Sequence, residues 1–273
     1  MRLLSGSARL AGVIGWPVAH SRSPRLHGTW LNRYGIDGAY LPLPVAPEHF
    51  ADTVRALRHA GFAGANVTIP HKEAAFAVCD RLEPSALRAG AVNTLIFGDG
   101  ITGANTDGYG FVANLRAHGV DPAAGPALIL GAGGAARAIA AALQDEGAAV
   151  TICNRSPERA AALAAHLPPA KTLAWEQRAA ALGDYALLVN TTSLGMTGHP
   201  PLDMKLDNAP ASLAVADIVY APLTTPLLAA AAAQKLQAVE GLGMLLHQAV
   251  PGFSAWFGVT PEVDEELYRI VAA

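Results

Sequence analysis

Short runs of continuous apolar residues alternate along this chain with longer stretches in which apolar positions recur every three or four residues. The first kind reads as buried strand and the second as amphipathic helix. In the first part of the chain, strands are expected at residues 10–14, 39–43 and 64–69, with helices at 24–34 and 47–60. A further strand is expected at 90–97, and Gly98-Asp99-Gly100 turns the chain into a hairpin partner at 101–103. A helix over 109–118 closes this part. Beyond it, strands at 127–130, 148–153, 185–190 and 213–219 alternate with helices, which predicts a parallel α/β sheet. Helices are expected after Pro226, within Val239–Gln248, and at 261–271. No internal repeat or low-complexity linker interrupts the pattern.

The segment from Ala127 to Leu143 is the most informative. A buried strand runs into Gly131-Ala132-Gly133-Gly134-Ala135-Ala136 and then a helix. Gly131, Gly133 and Ala136 match a G-x-G-x-x-G/A dinucleotide fingerprint: a tight turn, a close backbone approach to pyrophosphate, and close packing of helix on strand. Free amides and the positive end of the helix dipole would then face the phosphates. The fingerprint lies in mid-chain, so a separate domain precedes it. The second strand ends in Asn154-Arg155-Ser156, with Arg159 four residues beyond Arg155. An acidic residue at that strand end would accept from ribose hydroxyls and repel a 2′-phosphate. Two guanidiniums instead grip the phosphate, which favours NADP over NAD.

Composition narrows the class. A chain of 273 residues suits two domains, and 52% hydrophobic with 15% charged residues fits strands buried on both faces. The net charge of −3, with no basic cluster, gives no footprint for nucleic acid or a membrane surface. No apolar run reaches transmembrane length, and Met1-Arg2-Leu3-Leu4 is too short an apolar start for a signal peptide. Cys79 and Cys153 are far apart and read as buried reduced thiols of a cytoplasmic enzyme. The nine histidines lack ligand spacing, so no metal is expected.

Polar residues in the first domain supply candidate chemistry. Ser23 before Pro24 reads as a helix N-cap, and together with Ser21 it makes a helix terminus suited to a carboxylate. In Asn66-Val67-Thr68-Ile69, strand alternation puts Asn66 and Thr68 on one face, Val67 and Ile69 on the other. The polar face edges a ligand pocket or meets solvent. Lys72 falls in the first turn of the helix opened by Pro70, where the dipole opposes a cation, a cost unless the proton is held weakly. Asp107 reads locally as a helix cap. Thr191-Thr192-Ser193-Leu194-Gly195-Met196 lies at the carboxyl end of a strand, the ligand-facing edge of such sheets.

Taken in order, these stretches resemble the shikimate dehydrogenase family along the whole chain. They are P-V-A-H-S-R-S-P from Pro17, N-V-T-I-P-H-K from Asn66, G-A-V-N-T from Gly90 and N-T-D-G from Asn105. G-A-G-G-A from Gly131, N-R-S from Asn154, D-I-V-Y-A-P from Asp217 and G-L-G-M-L-x-x-Q from Gly241 complete them. The resemblance implies an N-terminal α/β substrate-binding domain, a doubly wound Rossmann-type NADP-binding domain, and C-terminal helices that return to the first domain. It places residues 1–107 and 242–273 in the substrate domain and 108–241 in the NADP domain. It also implies NADPH-dependent, reversible reduction of 3-dehydroshikimate to shikimate, on the route to chorismate and aromatic amino acids.

Carried over to this chain, the resemblance makes Lys72 and Asp107 the catalytic pair. Ser21 and Ser23 would bind the substrate carboxylate; Asn66, Thr68, Asn93, Gln248 and nearby Tyr220 would meet the ring hydroxyls. Gly131, Ala132, Gly133, Gly134 and Ala135 would hold the pyrophosphate, and Asn154, Arg155, Ser156 and Arg159 the 2′-phosphate end. Ile218 and Gly241 would lie by the nicotinamide. Ser156 stands where the family often has Thr, and Ile218 where it often has Met. The alternatives are an NAD-using quinate/shikimate dehydrogenase and a non-catalytic shikimate-binding relative, which would lack Lys72 or Asp107. A folate-type dehydrogenase would lack the S-x-S-P and N-T-D-G stretches. A small-molecule substrate is the expected partner, with a homodimer left open.

Overall fold

The structure, a computed structural model, describes residues 3–273. It divides into two compact units, one of Met1–Asp107 with Leu245–Ala273, the other of Gly108–Met244. The expected second change-over lies at 241/242; in the structure it falls inside a helix.

The first unit contains β1 (Arg9–Gly15), α1 (Ser23–Arg33), β2 (Gly38–Pro44), α2 (Phe50–His59), β3 (Gly64–Val67) and α3 (Lys72–Val78). It continues with β4 (Arg81–Leu82), α4 (Pro84–Ala89), β5 (Thr94–Phe97) and β6 (Ile101–Ala104). Its six strands lie in the order β2-β1-β3-β5-β6-β4. β1 is parallel to β2 and β3, whereas β5 is antiparallel to both β3 and β6. The sheet is thus mixed. Ile14, Phe50, Val54, Val67, Val92 and Leu95 form its core.

α5 (Asp107–Ala117) leads into the second unit, which holds β7 (Ala127–Leu130), α6 (Gly134–Asp145), β8 (Val150–Cys153), α7 (Pro157–His166), β9 (Lys171–Leu173) and β10 (Leu187–Asn190). Then follow β11 (Ala214–Asp217), α8 (Pro226–Ala233) and β12 (Gln237–Val239). All its strands are parallel, in the order β12-β11-β10-β7-β8-β9. Ala127 and Ile129 enter one apolar cluster, Leu128 and Leu130 another, so the sheet is buried on both faces. This is the doubly wound arrangement, with its order reversing between β7 and β10.

α9 (Gly241–Phe257) and α10 (Glu265–Ala272) end the chain. From Leu245 onward they belong to the first unit. Trp256 Nε1 donates to the Leu95 carbonyl at 2.9 Å, and Trp30 Nε1 to the Glu262 carbonyl at 3.0 Å. Gly64 makes room for this return, because a Cβ there would collide with the Trp256 indole.

Several expectations are corrected. Ser23 is not the N-cap of α1: Arg22 holds that position without a side-chain cap, and the Ser23 amide donates to Ser21 Oγ at 3.3 Å. Val67 and Ile69 do not share an apolar face, because β3 ends at Val67; Val67 is 2% exposed and Ile69 74%. Gly90 is not in a strand but ends α4 in a left-handed conformation at φ 60°. The last helix begins after Asp264, whose carboxylate accepts from the Leu267 amide, rather than at Pro261. Cys153 is buried but Cys79 only partly so, as it closes α3; both are free thiols. Among the described residues no helix is long and apolar enough to cross a membrane.

Candidate active site

Lys72 is the first residue of α3 and Asp107 the first of α5. Their side chains form an ion pair through Lys72 Nζ and Asp107 Oδ2, with side-chain exposures of 17% and 8%. The carboxylate answers the cost of a cation at a helix amino end. Each partner is held from behind. The Lys72 carbonyl accepts from the Val92 amide at 2.9 Å, and the Asp107 amide donates to Asn105 Oδ1 at 3.1 Å. Asn105, not Asp107, therefore supplies the side-chain acceptor at the start of α5.

Asn93 is the hub of the polar cluster. Its Nδ2 donates to Asp107 Oδ1 at 2.8 Å and lies 3.3 Å from Gln248 Oε1. Its Oδ1 accepts from the Thr106 amide and the Thr94 hydroxyl, each at 2.9 Å. Asn66 Nδ2 reaches the Asn93 carbonyl and Thr94 Oγ1, both at 3.3 Å, and Asn66 Oδ1 accepts from the Tyr40 hydroxyl at 2.6 Å. Asn66, Asn93, Asp107 and Gln248 are all buried, so the polar face of β3 is not a solvated one. Such a buried network holds its members in one geometry because every unpaired alternative is costly. Thr68 follows β3 and is partly buried, and Ser21 and Ser23 stand at the start of α1.

The structure therefore brings Lys72, Asp107, Asn93, Asn66 and Gln248 into one connected cluster within the first unit. Tyr220, also proposed for substrate, belongs to the second unit, just beyond β11. Thr94, Thr106 and Tyr40 are cluster members that the sequence reading did not single out. Thr94 and Thr106 lie inside the G-A-V-N-T and N-T-D-G stretches, which was the available signal. Tyr40 carried none.

A layer of rings lies behind Asn66. His27 stacks on Tyr40 at 3.9 Å between centroids and 5° between planes, and meets Trp30 edge-on at 5.7 Å. His27 is fully buried, neither ring nitrogen has a partner in good hydrogen-bond geometry, and desolvation, outweighing the opposing effect of neighbouring Asn66, pushes its pKa down to about 3. Burial also pushes the Tyr40 phenol well above its ordinary range, with a hydrogen bond from the Ser23 hydroxyl acting against it.

In the second unit Gly131 follows β7 at φ 118°, a backbone conformation that favours glycine, and a Cβ there would strike Thr191 Oγ1. Ala132 follows in the turn, 7% exposed. Gly133 precedes α6; a Cβ on it would meet nothing within 4 Å, and no side chain caps the helix. Open space before uncapped helix amides suits a phosphate-bearing ligand, and Gly134 and Ala135 are the first two residues of that helix. At the carboxyl end of β8, Asn154 Nδ2 donates to the Ser156 carbonyl at 3.0 Å, and the Ser156 hydroxyl to Glu158 at 3.0 Å. Arg155 and Arg159 are exposed there.

Asp217, at the end of β11, accepts from Asn190 Nδ2, the Val219 amide and the Thr225 hydroxyl at 2.7–3.0 Å. Its burial nonetheless raises its pKa. Gly241 packs against the Ile218 carbonyl so closely that a side chain would collide with it. No group of three or more His, Cys, Asp or Glu that could hold a metal occurs among the described residues.

Comparison with known proteins identifies the family. The shikimate dehydrogenase substrate binding domain matches residues 13–95, shikimate/quinate 5-dehydrogenase residues 118–197, and the shikimate 5′-dehydrogenase C-terminal domain residues 241–265. The chain is 74% identical over 277 residues to the NADP(+) shikimate dehydrogenase of Acidiphilium cryptum, covering 99% of this chain and 98% of that protein. Among solved structures it resembles shikimate 5-dehydrogenase from Thermus thermophilus in complex with NADP(H) and shikimate. That match has a TM-score of 0.88 and 38% identity, over 97% of this chain and 98% of the other. Quinate dehydrogenase from Corynebacterium glutamicum in complex with NAD gives the same TM-score of 0.88 at 27% identity, over 97% of each chain. The fold alone does not separate these two; sequence identity does, and the chain belongs to the shikimate dehydrogenase family.

Proposed function

We propose that this chain is an NADP-dependent shikimate dehydrogenase, catalysing the reversible reduction of 3-dehydroshikimate to shikimate on the route to chorismate. The observation that carries the reading is the pair of half-buried Lys72 and buried Asp107, tied to Asn93, a proton-handling couple held among hydrogen-bonding groups suited to a polyhydroxylated ring.

NADPH, when bound, supplies the hydride. Lys72 gives a proton to the C3 oxygen as the ketone is reduced, and takes it back in the oxidative direction. Asp107 holds the ammonium in place. Asn66, Thr68, Asn93, Gln248 and Tyr220 meet ring hydroxyls, and Ser21 and Ser23 bind the carboxylate at the start of α1. Gly131 to Ala135 hold the pyrophosphate, and Ile218 and Gly241 flank the nicotinamide. Asn154, Arg155, Ser156 and Arg159 take the 2′-phosphate end, a reading supported by two exposed guanidiniums at the end of β8 and by the NADP(H) of the Thermus thermophilus enzyme.

An assay with shikimate or quinate, each with NADP+ or NAD+, followed by nicotinamide absorbance, tests this. Shikimate with NADP+ is expected to be the preferred pair. Preference for quinate with NAD+ would make the chain a quinate enzyme, and silence with all four pairs would make it a binding protein.

A further inference from the structure

The hydrogen bonds of the polar cluster have directions that can be fixed one after another. The Thr106 amide can only donate, and it donates to Asn93 Oδ1 at 2.9 Å. Asn93 therefore turns its Nδ2 toward Asp107 Oδ1, at 2.8 Å. The Asn93 main-chain carbonyl can only accept, and it takes Asn66 Nδ2 at 3.3 Å. Asn66 must then present Oδ1 to Tyr40, and at 2.6 Å the phenol is the donor. Thr94 has a single hydroxyl proton. Of its two acceptors, Asn93 Oδ1 at 2.9 Å and Thr106 Oγ1 at 3.3 Å, the nearer takes it, and the Thr94 oxygen accepts from Asn66 Nδ2 at 3.3 Å. The result is a one-way chain, Tyr40 to Asn66 to Thr94 to Asn93 to Asp107, ending on the carboxylate paired with Lys72.

We infer that Tyr40, donating to Asn66 Oδ1 and with Thr94 as the relay to Asn93, is a positioning residue that holds the Asn66 and Asn93 amides for substrate in the orientations selected by the Asn93 carbonyl and the Thr106 amide. The inference rests on the proposed function for its substrate, shikimate, but not for the chain itself. Two facts make Tyr40 a firm starting point. Its ring is clamped face to face on His27 at 3.9 Å and packs near Trp256 at 6.0 Å. Its hydroxyl is buried and donates to Asn66 Oδ1 at 2.6 Å, leaving the Ser23 hydroxyl beside it to act as donor. Because every donor points the same way, each bond polarises the next, and the Asp107 end senses a change made at the Tyr40 end. The amide groups in the chain cannot hand a proton onward, so its effect is orientation rather than proton transfer.

Tyr40→Phe keeps the ring and removes only the donor. In the ligand-free full-length protein, the Asn66 side-chain amide signals in an ¹⁵N NMR spectrum are expected to broaden, and those of Asn93 to shift. The shikimate Kd is expected to rise about tenfold, the loss of roughly one hydrogen bond, with the NADP+ Kd unchanged. Thr94→Val should move the Asn93 signals in the same sense, and Thr94→Ser should restore them. Unmoved Asn93 signals in Tyr40→Phe would overturn the chain. An unchanged shikimate Kd, or equal changes in both Kd values, would overturn the positioning role. If the parent protein bound no shikimate, the functional reading would fall, while the Asn93 signals would still decide the chain.

Discussion

Lys72 and His27 show two opposite ways of keeping an ionisable group inside a protein. Lys72 is paired with Asp107, and in the proposed mechanism its removal leaves shikimate without a group to take the C3 hydroxyl proton. Lys72→Ala is expected to lower kcat for shikimate oxidation by about 10²–10⁴, with a smaller change in KM, in steady-state assays. His27 is kept neutral instead. The folded protein resists protonating it down to about pH 3, whereas the unfolded chain takes the proton near 6.5. The unfolded state thus binds the extra proton in that window. The contribution of His27 to stability is complete above about pH 6.5 and falls by roughly 1.4 kcal/mol per pH unit as the pH drops toward 3. His27→Phe preserves the ring stack and removes two unpartnered nitrogens. It should stabilise the protein by about 1 kcal/mol in urea unfolding at pH 7, and flatten the acid limb. Lys72, Asp107, Asn93 and Gln248 were legible in the sequence because they fall in recognisable stretches. His27 and Tyr40 were not: what each does is set by rings and amides that meet only in the folded sheet.

At the scale of elements, the glycine turn after β7 separates folding from binding within three residues. Gly131 has φ 118° and no room for a Cβ, while Gly133 has an ordinary φ of −92° and open space. Gly131→Ala should therefore lower the melting temperature. Gly133→Ala should leave melting close to the parent and raise the KM for NADP+ at least tenfold, because the added methyl occupies the space proposed for pyrophosphate. The four-residue buried strands β7, β8, β10 and β11 of this unit were evident from their apolar runs. β4, β9 and β12, of two or three residues each, were not, since so short a stretch shows no periodicity. The ends of α1 and α10 were misplaced for a different reason. Ser before Pro and an early Pro both suggest helix starts, but the tertiary fold chose Arg22 and Asp264 as the flanking residues.

For the whole molecule, the mid-chain position of the dinucleotide turn already implied a domain before it, and the structure adds that this domain is built from both ends of the chain. Trp256 is one fastening, joined to Leu95 across 161 positions of sequence. Arg33 is another, paired with Asp264 and Glu266. Trp256→Phe should cost about 1–3 kcal/mol in denaturant unfolding, since it removes a buried hydrogen bond and leaves a void where the indole packed. The NADP+ Kd should be unaffected, because the residues proposed for that cofactor lie in the other unit.

The discontinuity also sets an order of events during synthesis. When Met244 has been added, every strand of the second unit's sheet and helices α6, α7 and α8 have been made, so this unit is expected to begin folding as the ribosome continues. The unit carrying Lys72 and Asp107 was begun first, yet it waits for the final stretch from Leu245, which brings Gln248 and Trp256. The enzyme's earliest-made half is thus the last to mature, and it relies longest on whatever shields nascent chains from aggregation.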